Sequence, residues 1–403
     1  MRVRLSNNIL IKMSTLNKKV LITGTFDLIH PGHLNLISQA KKLGDFLVAV
    51  VAKDENVFKV KGREPYFNEQ QRLKNLQKLN LVDKVVLGDN KDPYKIIKEE
   101  KPDIVALGYD QSVFVDQLEY KLKELKLKTK IVRLKPFKED FCKGKNIRKA
   151  FEDNQSRLRS QASAGQAGFL LMDKDQDWTS HDVVAKLRSI LKIKQIGHTG
   201  TLDPFATGLL ICAIGNATKM VGLFDLLPKT YVAKIKLGVV SDTYDRTGKL
   251  EVKKKDFKIT ENDLFKALKK FIGKQKQLPP MYSAKKVDGK KLYQLARKGI
   301  EIKRKPSEIE IYDIKLLGFA GDMVDIEVKC SSGTYIRSLA YDLGQKLKIG
   351  AVLWELNRTK IGDFSLEKAV KLSKVSLGNM INPSQALEVI NKDYLTTLDF
   401  LRK

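Results

Sequence analysis

Two short segments of this 403-residue chain combine residue types and spacings suited to chemistry. One is GHTGTLDPFATGLL, residues 197–210, where glycines permit a tight backbone path and His198 can approach a phosphate. Asp203 sits there in an Asp-Pro turn, which can hold a carboxylate rigidly towards a substrate. The other is GTFDLIHPGHLNLI, residues 24–37, with His30 and His33 in an HxGH arrangement at a helix entrance. Backbone amides at such an entrance bind phosphate, and nearby imidazoles can donate to its charged oxygens. That combination suits nucleotidyl transfer: a phosphate oxygen attacks the α-phosphorus of a nucleoside triphosphate and pyrophosphate leaves. Alignment and charge neutralisation supply the catalysis without a protein nucleophile, and Mg²⁺ is expected with the phosphates.

Asp203 does not stand alone. It is followed by TYVAKIKLGVVSDTYDRTG, MYSAKKVDGKKLYQLARKG, VKCSSGTYIRSLAYDLG and LNRTKIGDF, in that order. With these companions, residues 168–370 resemble the TruB family of tRNA pseudouridine synthases. The resemblance implies that Asp203 is the nucleophile or glycal-forming carboxylate and that Arg337 pairs with it. Tyr231 would pack on the target base, Tyr335 would support the pocket, and His198 would engage the flipped-out nucleotide or its backbone. The implied reaction breaks uridine's N-glycosidic bond, rotates the retained uracil and forms a carbon-carbon bond. Neither a metal nor a redox cofactor is required. Its target would be the T-loop uridine of tRNA, extruded from its stack at a cost that stacking and phosphate contacts must offset. One segment departs from the family's DKPxGxTS pattern: MDKDQDWTSHDVV has Asp175 for the proline and Asp177 for the glycine, predicting an altered turn.

KGREPYFNEQQR and KPDIVALGYDQ follow the HxGH segment within the first 150 residues. This region resembles the HIGH-type cytidylyltransferase-like superfamily, especially glycerol-3-phosphate cytidylyltransferase and archaeal FAD synthase. The resemblance implies a nucleoside triphosphate site at Thr25, Phe26, His30 and His33. Lys59 or Lys61, with Arg63, would contact phosphates or the second substrate, and Asp110 lies in the LGYDQ segment that favours ATP plus FMN over CTP. A CTP-dependent enzyme and a tRNA-binding or structural appendage stand as alternatives. KGKNIRK, residues 143–149, keeps Ile147 and Arg148 of the family's distal ISTxxIR element but lacks its hydroxyl run.

Elements must hold these groups in place. Val20–Thr23 reads as a buried strand, Leu34–Lys42 as an amphipathic helix and Phe46–Ala52 as a second strand. The alternation continues to a last strand within residues 126–134, predicting an α/β Rossmann-like domain. Beyond residue 168 the β-like runs at 230–240, 308–321 and 323–333, with helices between them, predict an α+β domain with a mixed or antiparallel sheet. The expected divisions are a flexible extension at 1–17, a nucleotidyltransferase-like domain at 18–152 and a linker at 153–167. A catalytic domain at 168–370 and a short helical extension at 371–403, too short for a full PUA domain, follow.

Composition limits the remaining possibilities. Hydrophobic residues at 42% support a sizeable core and exclude a wholly disordered chain. A formal charge of +28 fits a nucleic-acid partner. The excess is shared, with 33 basic residues against 20 acidic through residue 160 and 42 against 27 beyond. Lys285, Lys286, Lys290, Lys291, Arg297 and Lys298 around Tyr293 read as an RNA face, with a merely solvated helix as the alternative. Cys142, Cys212 and Cys330 form neither a disulfide framework nor a CxxC site, making a reducing cytoplasm the simplest location. No uninterrupted apolar span predicts a membrane segment.

Overall fold

The computed structural model describes residues 18–142, 144–159, 167–283, 286–287, 290–292, 296, 300, 302 and 304–400. The expected extension at 1–17 lies outside them, as do Lys285, Tyr293, Arg297 and Lys298 of the basic segment. The chain forms two compact units, Met1–Arg148 and Lys149–Lys403.

Unit 1 is built on a five-stranded parallel sheet of β1 (Lys19–Gly24), β2 (Phe46–Val51), β3 (Lys84–Leu87), β4 (Ile104–Leu107) and β5 (Lys130–Arg133), in the order β3-β2-β1-β4-β5. Its helices are α1 (Pro31–Lys41), α2 (Asp54–Lys61), α3 (Glu69–Gln77), α4 (Lys95–Glu100) and α5 (Leu118–Glu124), and the first turn of α6 (Gly144–Arg159) also belongs to it. Alternate residues of β1 enter separate cores: Val20 and Ile22 pack in one, Leu21 in the other. A sheet covered on both faces needs this near-continuous apolar run. Because β1 lies between β2 and β4, strand order reverses there, and the crevice at its carboxyl end is the natural ligand position.

α1 begins three residues before its predicted start. Pro31 opens the helix and His30 caps it, with Nδ1 accepting the Gly32 N–H at 3.1 Å. A proline loses nothing in a first turn, whose N–H groups lack helical acceptors. α6 runs into the stretch expected to be a linker, of which residues 160–166 lie outside the described ones.

Unit 2 centres on a nine-stranded mixed sheet. Its strands are β6 (Gly168–Lys174), β7 (Ile196–Thr199), β8 (Thr207–Ile214), β9 (Lys229–Leu237), β12 (Gly273–Gln277), β15 (Ser307–Ala320), β16 (Met323–Cys330), β17 (Ala351–Ile361) and β18 (Phe364–Ser365). The pairs β10 (Val239–Ser241) with β11 (Leu250–Val252) and β13 (Lys286–Val287) with β14 (Lys290–Lys291) are separate ribbons. The main path is β12-β15-β16-β9-β17-β8-β6, antiparallel except where β17 meets β8. α7 (Ser180–Leu191), α8 (Glu261–Lys269) and α9 (Ile336–Leu347) contribute Leu187, Leu264 and Leu339 to the same core as Ala233, Ile326 and Leu353 of the sheet. The C-terminal stretch ends in α10 (Pro383–Phe400), which buries Ala386, Leu387 and Ile390. Asp393 of α10 accepts the Asp363 N–H at 2.7 Å across the turn made by Gly362, where a Cβ would sit 2.0 Å from the Asp393 carboxylate.

The turn predicted to be altered by Asp175 and Asp177 is well supported. Asp177 takes the left-handed conformation, φ 64°, that a glycine adopts freely. Buried Lys174 donates to the carbonyls of Asp175, Trp178 and Pro204, and Lys371 forms ion pairs with Asp173 and Asp175. Asp177→Gly is therefore expected to stabilise unit 2 by about 0.5–1 kcal/mol by relieving the positive φ. Urea unfolding followed by tryptophan fluorescence measures this, since Trp178 and Trp354 both lie in unit 2.

Candidate active sites

The crevice of unit 1 is a cavity of about 1140 Å³. Thr25, Phe26, His30, His33, Lys61, Arg63 and Asp110, all expected from sequence, line it together with Lys145 and Arg148. Arg72 staples the turn after β1 from below. It is fully buried, donates to the carbonyls of Thr25, Ala52 and Phe67, and pairs with Asp54. Asp27 accepts the backbone N–H groups of Tyr66 and Phe67 and lies 3.6 Å from Arg148. The departed KGKNIRK element thus still presents a cation at the cavity and opens α6 there.

The His30 and His33 rings stand 4.0 Å apart, and Lys61 Nζ donates to Thr25 Oγ1 at 2.9 Å. Burial pushes both imidazoles below their ordinary pKa, His33 to about 4, with Lys61 adding to the effect on His33. They are neutral hydrogen-bond donors at physiological pH, while Lys61, Arg63, Lys145 and Arg148 supply positive charge. No three His, Cys, Asp or Glu side chains cluster as a metal-holding set among the described residues, so the side chains form no cage of their own for the expected divalent ion.

In unit 2, Arg337 grips Asp203 with both arms of its guanidinium, Nε to Oδ2 and Nη2 to Oδ1 each at 3.0 Å. Such a two-point bond fixes direction as well as charge. Arg337, at the start of α9 and 5% exposed, also donates to the Tyr282 carbonyl and lies 3.6 Å from Asp245. Asp245, absent from the expected site residues, is buried and held by Thr243 Oγ1, Thr247 N and Thr247 Oγ1. Burial raises the pKa of Asp203; Arg337 opposes that rise and Asp245 adds to it.

Tyr231 projects from β9, and Asp203 is among the charges acting on its phenol. Tyr335 caps α9, its backbone N–H and C=O exchanging hydrogen bonds with the Gln277 side chain, and it also feels Asp203. His198 stands on β7 with its ring 5.3 Å from that of His181. Its Nδ1 is buried without a hydrogen-bond partner among the described residues, and burial lowers its pKa to about 4.

These histidines set the acid response. A group whose folded pKa lies below its unfolded value gives stability at neutral pH that disappears as pH falls through the folded pKa. His30 and His33 act this way in unit 1, where Asp83 and Glu100 are also held low by lysines. In unit 2, His198 is opposed by Asp342 and Asp393, both raised by burial to about 6, which favour the folded state as pH falls below 6. Unit 1 is expected to unfold at the higher pH during titration from 7 towards 4. Circular dichroism then changes before tryptophan fluorescence does.

Comparison with known proteins agrees with this division. The description "TruB family pseudouridylate synthase (N terminal domain)" matches residues 188–336, and "Cytidylyltransferase-like" matches residues 21–151. The tRNA pseudouridine synthase B of Clostridium tetani is 47% identical over 213 residues, covering 53% of this chain and 74% of that protein. The chain belongs to the TruB family of pseudouridine synthases. It is an enzyme of that family, fused to a cytidylyltransferase-like domain.

Another TruB-family relative, tRNA pseudouridine synthase B of Bordetella avium, is 45% identical over 56% of this chain and 92% of its own length. Among solved structures, a Cbf5-Nop10-Gar1 complex is 28% identical over 55% of this chain and 62% of that one, with a TM-score of 0.44. A lipopolysaccharide core biosynthesis protein from Thermoplasma volcanium is 41% identical over 30% of this chain and 98% of its own, with a TM-score of 0.28. No helix among the described residues is long and apolar enough to cross a membrane.

Proposed function

We propose that unit 2 converts the T-loop uridine of tRNA to pseudouridine, with Asp203 at the reacting carbon. The observation that carries this reading is the two-point bond between buried Arg337 and Asp203, whose carboxylate side chain is 33% exposed. Tyr231 packs on the extruded base, Tyr335 supports the pocket and His198 meets the flipped nucleotide. The N1–C1′ bond breaks with its electron pair going to the uracil. Asp203 either attacks C1′ or removes a C2′ proton to leave a glycal. After the uracil turns, C5 bonds to C1′, displacing the Asp203 carboxylate or, from the glycal, with Asp203 returning the proton to C2′; the C5 proton is then lost and N1 gains a proton. Atoms balance, as an isomerisation requires.

The test is conversion of an unmodified tRNA transcript, mapped by nucleotide. Pseudouridine at the T-loop position supports the reading, whereas conversion confined to another position reassigns the target. Absence of conversion by folded, tRNA-binding protein removes the assignment.

For unit 1 the reading is nucleotidyl transfer from a nucleoside triphosphate. Thr25, Phe26, His30 and His33 cradle the phosphates, Lys61 and Arg63 neutralise charge, and Asp110 lines the same cavity. The cytidylyltransferase-like match makes CTP the first nucleotide to try. Pyrophosphate release with CTP and a phosphate monoester supports this arm, release only with ATP and FMN favours FAD synthesis, and no release with either favours a tRNA-binding or structural role.

A further inference from the structure

Residues 244–246 lie against the catalytic network of unit 2 and send three successive side chains to three different places. Tyr244 stacks on Tyr341 of α9, with ring centres 4.1 Å apart and planes 20° from parallel. Asp245 faces Arg337, and Arg246 lays its guanidinium over the ring of Phe205, 5.9 Å from the ring centre. Phe205 is buried two residues beyond Asp203, so the guanidinium sits over the loop that carries the carboxylate. The backbone beneath is fixed by β17: the Leu353 N–H donates to the Tyr244 carbonyl and the Arg246 N–H to the Leu353 carbonyl, each at 3.0 Å.

Arg246 differs from other arginines of unit 2. Arg188, Arg304, Arg337 and Arg358 each donate to a carbonyl or a carboxylate. The half-buried side chain of Arg246 makes no hydrogen bond or ion pair among the described residues, only its contact with the Phe205 ring. Its neighbour Asp245 is already engaged, one oxygen with Thr243 and Thr247 and the other towards Arg337. A guanidinium partly withdrawn from water without an acceptor gives up hydration that an incoming anion restores. The ring holds the cation in place by its negative face, and the planar fork keeps two parallel N–H groups for two oxygens of one phosphate.

We infer that Arg246 binds a phosphodiester of the RNA beside the extruded uridine. This rests on the reading that unit 2 acts on tRNA with Asp203 at C1′. A nucleotide placed that way brings its flanking phosphates to the Asp203 loop, within reach of a side chain as long as arginine's. Extrusion of a base costs stacking energy, and a two-point bond from Arg246 to the adjoining backbone offsets part of that cost. Arg337 cannot take this phosphate, since its guanidinium is committed to two carboxylates.

The experiment measures tRNA affinity by filter binding across a series of salt concentrations, for wild type and R246Q. Losing one phosphate contact should make the slope of log affinity against log salt shallower by about 0.7–0.9 and weaken binding about 5–20-fold at low salt. The single-turnover rate at saturating enzyme should stay within about threefold. A second arm uses tRNAs with one uncharged methylphosphonate at each of the four linkages nearest the target uridine, with 2′-deoxyribose before the linkage and the same sugar beside a charged linkage as control. At one of these linkages the wild type should lose about as much affinity as R246Q does, while R246Q loses less than about twofold further. An unchanged salt slope, or equal methylphosphonate losses in both proteins at all four linkages, would overturn the proposal and leave Arg246 as packing over Phe205. Should R246Q not fold, R246M, which keeps an unbranched stem over that ring, makes the same comparison. Both readouts are of binding, so they stand apart from catalysis: if they hold while the wild type forms no pseudouridine, the assignment of the reaction falls and the phosphate contact does not.

Discussion

Replacing Asp203 with asparagine is expected to reduce pseudouridine formation by at least about a thousandfold while tRNA binding stays within about threefold. Asparagine keeps the shape of the side chain and can still accept one hydrogen bond from Arg337. It lacks the negative charge, so it can neither attack C1′ nor remove a C2′ proton. A rate measured with enzyme in excess isolates the chemical step, and filter binding reports affinity separately. Because Asp203 sits in a turn closed by the Ala206 N–H to Asp203 C=O bond, a small change in melting temperature is expected. Loss of binding in parallel with loss of rate would mean that Asp203 serves the fold or the RNA contact instead.

The second large effect is expected for Arg337→Met. It leaves Asp203 and Asp245 facing each other without the cation between them. Removing one member of a buried ion network costs about 3–5 kcal/mol because the remaining charge stays buried and unpaired. Two unpaired carboxylates also repel, which pushes their protonation to higher pH. Stability should therefore drop most at neutral pH and recover partly on mild acidification, opposite in sign to the histidine effect. Chemical denaturation at pH 5 and 7 reads this directly. The double variant R337M/D245N should regain stability without regaining activity, since it removes the repulsion but not the need to orient Asp203. Recovery of activity in that double variant would show that Arg337 acts only through stability.

The histidine pair of unit 1 was legible because its chemistry is local: strand, turn and helix entrance follow one another within 14 residues. The fold then adds Arg63, Asp110 and Arg148 from other crossovers. Asp203 and Arg337 are far apart in sequence, and only the resemblance joined them. Asp245 lay in plain view in SDTYDRTG, but three threonine-linked hydrogen bonds look like any polar turn until Arg337 is seen beside it. Arg358, buried on β17 with its guanidinium donating to the Leu209 and Gly200 carbonyls, was less visible still. Its acceptors are backbone carbonyls, which every residue possesses, so no complementary side chain in the sequence signals its burial. The support of the turn at Asp177 was hidden for a related reason: it comes from a lysine bonded to three backbone carbonyls.

β17 contains two places where an extra residue interrupts its pairing with β9, at Trp354 and at Thr359. The first determines which side chain meets Tyr231. If Trp354 instead took a place in the register after Leu353, Asn357 would fall opposite Tyr231 and Arg358 would turn to the other face, since a one-residue slip inverts a strand. Deleting the Trp354 codon would therefore remove only the bulge and leave Arg358 opposite the tyrosine, with neither residue altered. Among related chains, the change of length this stretch should best accept is loss of the bulged residue itself, because the register on either side of it is continuous on β9.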